Sequence, residues 1–328
     1  PAKWRSHARV PYDALMCCFS APTAVHGTTL FARLVRPGTQ LLVYQMRYSA
    51  KTPTAMILPL PVALPAREDS VRFKSLKAYP ELFAHLAAGF PEPPRRAVWG
   101  SKSVAASQAA PTLAVHDVGD FVATFIPSQR DFGRVDPRFA LRPEVWAKLP
   151  AYRDYGFAVF QLKELAGTPH PIAFELDTRL DAALFLPTVH IHDGEVHDTG
   201  DFDHALYIQS AALDARAGDY EGPEVVDEKT GFVRSQGPAR AFVETERADE
   251  SRGVVDAALL VHRRTLKGTL PNRDTFVDLE KLAASPRGCS RCATSGGSLG
   301  DAAVPLGLTM AGLGWVIDRR RRLRGTRT

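Results

Sequence analysis

Cysteine is scarce in this chain, and the four that occur are confined to two close pairs. Cys17 and Cys18 are adjacent, Cys289 and Cys292 lie far away from them, and the sequence between the two pairs contains no cysteine. Such an arrangement does not define the disulfide framework that stabilises small secreted domains. A chain of 328 residues that is 45% hydrophobic is instead expected to fold around an ordinary apolar core.

The sequence also lacks several motifs that identify common enzyme classes. It contains no P-loop, no Gly-x-Gly-x-x-Gly after a strand and no His-Glu-x-x-His, and it has no internal repeat. These absences weigh against the familiar nucleotide-binding enzymes and zinc proteases.

Basic charge is concentrated at one end of the chain. The formal net charge is +5, but the stretch RRRRLRGTRT at 319–328 alone holds six arginines. Without them, 35 basic residues face 36 acidic ones. The body is therefore not basic, and it has no run that alternates aromatic and basic residues, so we expect no nucleic-acid partner.

Short β-rich runs separated by turns dominate the pattern. TTLFARLV and QLLVYQMRY flank the turn RPGT, and a second hairpin is predicted about Val118–Asp120. We predict an α+β, strand-dominated fold, with antiparallel β layers in a sandwich-like arrangement and a few short helices. The predicted segments are an arm at 1–16, a body at 17–283 with a possible sub-boundary at 100–112, a linker at 284–301 and a tail at 302–328.

Proline placement makes two of these predictions specific. Pro59, Pro61 and Pro65 interrupt the apolar run AMILPLPVALP, and because proline cannot donate to a ladder we expect an edge strand or an extended segment there. Pro80 precedes apolar residues at helical spacing, which predicts a helix from Pro80 to Gly89.

The stretch HIHDGEVH, residues 190–197, is the leading candidate site. Asp193-Gly194 favours a two-residue hairpin turn, which would place three histidines and Glu195 on one face. His190, His192 and His197 could then hold zinc or copper, with Glu195 as a further ligand or a base and His204 as an additional ligand. The alternative is a solvated hairpin tip whose polar face is rich in histidine.

The segment from Cys17 to TLFAR resembles the opening of N-terminal-cysteine amidohydrolases of the bile-salt hydrolase kind. That resemblance implies Cys17 as the nucleophile, with its own α-amine as base once preceding residues are removed, and Arg33 as a substrate-orienting residue. Two alternatives are that Cys18 is buried and Cys17 is an incidental thiol, or that both cysteines join the histidines as soft metal ligands.

Two further resemblances concern location. The early Cys17-Cys18-Phe19 together with the strand Met56–Val62 resembles an uncharacterised family of bacterial envelope proteins. The end of the chain resembles sorting tails of myxobacterial type, in which Gly288-Cys289 is followed by the apolar segment 302–317 and then by arginines. This implies a protein tethered to the membrane of the cell envelope through residues 302–328; the alternative is a cytoplasmic protein with a basic tail.

Together these features favour an envelope-associated bacterial domain with a His-rich transition-metal site. The alternatives are an amidohydrolase using Cys17 and a non-enzymatic surface binding module without metal. The expected partner is a small molecule or a protein of unknown identity.

Overall fold

The computed structural model describes residues 17–91, 116–191, 193, 195–222, 227–228, 230–243 and 253–284. All of them belong to a compact unit of residues 1–286. The predicted arm, the sub-boundary at 100–112, the linker beyond residue 284 and the tail at 302–328 lie outside the described residues.

The described residues form many short strands and few helices, as the sequence predicts. The strands are β1 (Cys17–Phe19), β2 (Thr23–Arg36), β3 (Thr39–Ala50), β4 (Ala55–Leu60), β5 (Val71–Ser75), β6 (His116–Val118), β7 (Phe121–Ile126), β8 (Gly156–Leu162), β9 (Ala166–Gly167), β10 (Ile172–Asp177), β11 (Ala183–Leu186), β12 (His190–Ile191), β13 (Thr199–Gln209), β14 (Gly218–Asp219), β15 (Val233–Pro238), β16 (Leu260–Pro271) and β17 (Thr275–Asp278). The α-helices are α1 (Leu82–Ala88), α2 (Pro143–Ala147), α3 (Ala211–Asp214) and α4 (Leu279–Ala284). Short 3-10 turns cover Gln129–Arg134, Pro137–Phe139, Pro150–Tyr152 and Ala239–Ala241.

Two large sheets organise these strands. The first has the order β12-β1-β4-β8-β7-β6, and the second has the order β14-β15-β16-β13-β2-β3-β10-β5, with β9 added beside β3. A separate pair joins β11 to β17. Most neighbours are antiparallel, but β1 with β12, β2 with β13 and β14 with β15 are parallel. The strand-dominated α+β prediction is confirmed.

The two hairpins predicted from turn chemistry are confirmed. Strands β2 and β3 pair antiparallel up to Arg36 and Thr39, with Gly38 at φ +71° in the turn. Strands β6 and β7 pair up to Val118 and Phe121. In both hairpins the local turn signal and the flanking β-rich runs favour the same structure, and the tertiary contacts are consistent with that local preference.

The edge-strand prediction for the proline-rich run is wrong. Strand β4 lies between β1 and β8, and it is buried throughout. Among the described residues its pairing with β1 involves Met56 and Ile57, and Pro59 pairs with Phe157 of β8. Proline is therefore accommodated in a strand that has a neighbour on both sides.

The main core lies between the two sheets. Ile57 and Phe160 of the first sheet and Leu42 and Phe174 of the second belong to one buried cluster. The rings of Phe160 and Phe174 are 5.9 Å apart. This cluster is the apolar filling of a sandwich.

A second, smaller core covers the other face of the second sheet. Helix α1 and its flanks bury Leu82, Phe83 and Phe90 against Phe31 and Val43 of strands β2 and β3. The helix predicted over Pro80–Gly89 is thus confirmed in a slightly shorter form. Because these strands are buried on both faces, they read as continuous apolar runs.

None of the helices in the described part of the chain has the length and apolar composition needed to cross a bilayer.

Candidate functional site

The described residues of the histidine segment do not pair with one another as the predicted two-residue hairpin requires. Strand β12, which carries His190, pairs in parallel with β1, and β13 pairs with β2 and β16. The Asn272 side chain accepts a hydrogen bond from the His190 N–H (2.7 Å) and donates to the carbonyls of His190 and His197 (both 2.9 Å). These long-range bonds tie both ends of the segment to the end of β16, and they outweigh the local preference of Asp193-Gly194.

Two of the predicted ligands face solvent. Glu195 accepts a 2.6 Å hydrogen bond from Lys148 and lies 3.6 Å from Arg142, and the side chain of Glu195 is half exposed. His197 Nε2 lies 2.9 Å from Asp193 Oδ2, also at the surface. His192 lies outside the described residues. Over the ranges that the structure describes, no three His, Cys, Asp or Glu side chains form a group suited to a metal.

His190 instead turns inward and meets His204. Their rings are stacked with centroids 5.1 Å apart, and Phe202 packs 4.1 Å from the His190 ring. Gly200 makes room for this arrangement, because a Cβ there would come within 2.8 Å of His190 Nδ1. Burial lowers the pKa of His190 to about 4 and the pKa of His204 well below its usual range. Both imidazoles are therefore neutral at physiological pH.

Cys17 and Arg33 lie in different sheets. Strand β1 places the backbone of Cys17 opposite His190, and the buried Cys18 lies opposite Ile191. Arg33 lies in β2, where its guanidinium donates to the carbonyls of Gly253 and Val254 at 2.7 and 2.8 Å. The roles that the amidohydrolase resemblance implies for Cys17 and Arg33 stay predictions. Gly288, Cys289 and Cys292 lie outside the described residues.

Beside the histidine pair lies a cleft of about 680 Å³. One wall is the Lys148–Tyr155 segment after α2, and the other comprises β16, the 271–274 connection and the start of β17. Phe276, which is 51% exposed, stands at its mouth. The full lining consists of Lys148, Leu149, Pro150, Ala151, Tyr152, Tyr155, Val189, Phe202, Arg264, Leu266, Leu270, Pro271, Asn272, Arg273, Asp274, Thr275 and Phe276.

Asp274 holds the two walls of this cleft together. Its Oδ2 accepts a 2.6 Å hydrogen bond from the Tyr152 hydroxyl, and its Oδ1 accepts from the N–H groups of Thr188 (2.9 Å) and Val189 (3.1 Å). Burial raises the pKa of Asp274 to about 6, although these three donors oppose the shift. The carboxyl group thus joins the Tyr152 segment to the strand that leads to His190.

Two arginines make the cleft electropositive. Arg264 lies on β16 and is half-buried, whereas Arg273 is exposed. Lys148 is already engaged by Glu195. Burial lowers the pKa of Arg264, and the nearby charge of Arg273 lowers it further. Asp274 is the single acidic side chain among the described residues of the lining.

Little in the sequence pattern indicates this cleft. LPNRD at 270–274 predicts a loop by its turn chemistry, and Tyr152 and Tyr155 are expected as core or linker-packing residues. Both tyrosines are indeed buried, yet each also lines the cleft. Residues about 120 positions apart in sequence, such as Tyr152 and Asp274, meet only through the tertiary fold, so no local motif marks them.

No protein-family model matches this chain, and no curated protein matches it either. Among solved structures, the chain is similar to the crystal structure of baculovirus P35, with 12% identity over 80% of this chain and 99% of that one and a TM-score of 0.41. It is likewise similar to a crystal structure of the caspase-8/P35 complex, with 13% identity over 77% and 95% of the two chains and a TM-score of 0.37.

Proposed function

We propose that this protein is a non-enzymatic binding module that takes a small molecule into the cleft beside His190. The observation that carries this proposal is the cleft itself. A volume of about 680 Å³ falls within the range of small-molecule sites, about 300–1,000 Å³. Its lining combines apolar walls with a few polar groups, which is the composition typical of such sites.

The walls of the cleft provide an apolar surface on which the apolar part of a small molecule can bind. Tyr152, Tyr155 and Phe202 are buried aromatic side chains, and Leu266 is buried beside them. Phe276 stands exposed at the entrance and packs 5.3 Å from Phe185 behind it. Aromatic side chains held by such packing provide contact area at low entropic cost.

Filling the cleft is expected to weaken binding. Ala151 is exposed on the cleft wall, so Ala151→Trp places an indole in the cavity without disturbing the core. We expect the fluorescence of N-phenyl-1-naphthylamine, a neutral apolar probe, to rise on adding the protein. The substitution is expected to weaken its binding at least about tenfold, a loss of about 1.4 kcal/mol.

The matched control is Ala258→Trp, at an exposed alanine outside the cleft lining, which is expected to bind like the parent protein. Equal binding by the parent and by Ala151→Trp would show that the probe binds elsewhere and would remove the basis of the proposed function.

A transition-metal site is a second candidate function. Two observations favour it: His190 and His204 stack 5.1 Å apart, and β1 places the backbone of Cys17 in register with His190. Zinc or copper would be held by these two histidines after the imidazole rings rotate so that their lone pairs converge. The sequence offers Cys17 and His192 as further candidate ligands. Imidazole and thiolate are ligands that both metals accept.

Metal content of the full chain tests this candidate directly. Inductively coupled plasma mass spectrometry is expected to find near-stoichiometric zinc or copper that is lost in His190→Ala and in His204→Ala. His116→Ala, at an exposed histidine, is the control and should retain the metal. A parent protein that stays metal-free after reconstitution would exclude this site.

The location of the module is a separate proposal. Attachment to the bacterial envelope is supported by the resemblance of Gly288–Arg324 to a sorting tail, in a segment outside the described residues. The cleft belongs to the preceding unit, so the proposed small-molecule binding does not depend on where the protein is located.

A further inference from the structure

Arg264 is a half-buried cation that has no partner among the described residues. It lies on β16 opposite Leu206 of β13, on the face of the second sheet that carries Leu266. Its guanidinium packs against Gly231, where a Cβ would lie 3.4 Å from Cζ. No hydrogen bond or ion pair joins this side chain to another described residue.

An unpaired, half-buried guanidinium is unusual. Arginine stays charged at all physiological pH values, and buried charges are normally paired because desolvation is costly. A second guanidinium, that of Arg273, lies close enough to disfavour the charge on Arg264. Two like charges in one cleft lower stability unless an anion compensates them.

The other charged groups of the cleft do not neutralise Arg264. Lys148 is bound to Glu195. Asp274 is held by Tyr152 and by two main-chain N–H groups, and Arg264 does not contribute to its pKa shift. The positive charge of Arg264 and Arg273 therefore remains available to a ligand.

We propose that the ligand is an organic carboxylate with an apolar or aromatic body. Its carboxylate accepts hydrogen bonds from the planar fork of Arg264, with Arg273 adding attraction at the rim, while its body packs on Tyr155, Leu266 and Phe276. This inference rests on the function proposed above, because it names the chemical class that the cleft selects.

A carboxylate suits this cleft better than a phosphate. Asp274 borders the same cavity and opposes the entry of any anion. Removing the hydration shell of a dianion costs more than removing that of a monoanion, because this cost rises with the square of the charge, whereas the attraction of the guanidiniums rises only in proportion to it. A planar carboxylate also pairs with the planar fork of Arg264 through two parallel hydrogen bonds.

Displacement of N-phenyl-1-naphthylamine from the full chain tests the inference. The competitors are 2-naphthoate, its neutral isostere 2-naphthamide, and 2-naphthyl phosphate. We expect naphthoate to compete about 10- to 100-fold better than the amide, as a charge-assisted hydrogen bond pair predicts, and better than the phosphate. Arg264→Gln should reduce this preference to about unity, and Arg264→Lys should retain part of it.

The exposed Arg273→Gln provides a second variant in case Arg264→Gln fails to fold, and it should lower the naphthoate preference by a smaller factor. Equal competition by naphthoate and naphthamide, or a preference that neither arginine substitution changes, overturns the carboxylate inference while the cleft remains a binding site. Tighter binding of the phosphate overturns it also. Failure of the neutral probe to bind at all is the distinct result that removes the proposed function.

Discussion

Metal-free protein is expected to lose about 5 kcal/mol of its free energy of unfolding between neutral pH and about pH 5. Burial lowers the pKa of His190 and His262 to about 4, and it lowers that of His204 well below its usual range. In the unfolded chain each of these histidines takes up a proton below its ordinary pKa of 6.5. In the folded chain burial keeps the same side chains neutral. The free energy of unfolding is therefore highest above the ordinary histidine pKa of 6.5, and it decreases as the pH falls towards 4.

The size of the effect follows from these pKa shifts. At about pH 5 each buried histidine costs about 2 kcal/mol, so the three together cost about 6 kcal/mol. Asp274 acts in the opposite direction, because its pKa of about 6 makes the folded state bind a proton before the unfolded state does. This offsets about 1.4 kcal/mol, and the net loss is comparable with the whole stability of many domains.

Urea unfolding of EDTA-treated protein across this pH range measures the loss. His262→Gln removes one of the three contributions, at a residue whose Nε2 lies 3.2 Å from Asp214 Oδ1, and we expect it to reduce the pH dependence by about 2 kcal/mol. His116→Gln, at an exposed position, should leave it unchanged. A free energy of unfolding that stays flat down to pH 5 would mean that these histidines are not buried as described.

Replacing Asp274 by alanine is expected to cost about 3 kcal/mol at neutral pH, because three lost acceptor contacts at about 2 kcal/mol each are partly offset by about 3 kcal/mol from removing a buried ionised carboxyl. The substitution leaves the Tyr152 hydroxyl and the N–H groups of Thr188 and Val189 without their acceptor. Each buried donor that loses its acceptor costs about 1–3 kcal/mol. The loss should appear as a lower urea midpoint with an unchanged slope.

Asp274→Asn separates hydrogen bonding from charge. The amide oxygen still accepts from both main-chain N–H groups, and the substitution also removes the cost of ionising a buried carboxyl, about 3 kcal/mol for a pKa of about 6. We expect the asparagine variant to lie within about 1 kcal/mol of the parent at neutral pH and to lack the gain that the parent obtains from Asp274 on acidification.

Asp154→Ala, at an exposed aspartate near the same cleft wall, is the matched control and should change stability by less than about 0.5 kcal/mol. An Asp274→Ala variant as stable as this control would show that the carboxyl group does not join the two walls.

Local sequence signals predicted those parts of the fold in which turn chemistry and strand patterning agree. Gly38 and Gly119 mark real turns at φ +71° and +73°, and their flanking runs form the expected hairpins. Pro59 misled the prediction for β4, because proline disfavours an internal strand locally whereas the tertiary fold places β4 between β1 and β8. Which strands become neighbours is set by the tertiary structure and is not encoded nearby.

The histidine segment shows the same limit at the candidate site. Its composition indicated a site near residue 190, and His190 does border the cleft region through Asn272. The residues His190 and Ile191, however, pair in parallel with β1. No pattern within HIHDGEVH predicts this pairing. The unpaired charge of Arg264 was equally hidden, since the stretch VVDAALLVHRRTL is ambiguous between strand and helix and does not indicate what its arginines face.

The parallel pairing of β2 with β13 has a kinetic consequence. It joins Thr29 to Ala205, and the pairing of β1 with β12 spans a similar stretch of chain between Cys17 and His190. Contacts this remote require large loops to close before any ladder energy is gained, which slows folding. Until the second half of the chain has been synthesised, β1 and β2 lack these partners and expose apolar strand edges, so the nascent protein depends on protection from aggregation during synthesis.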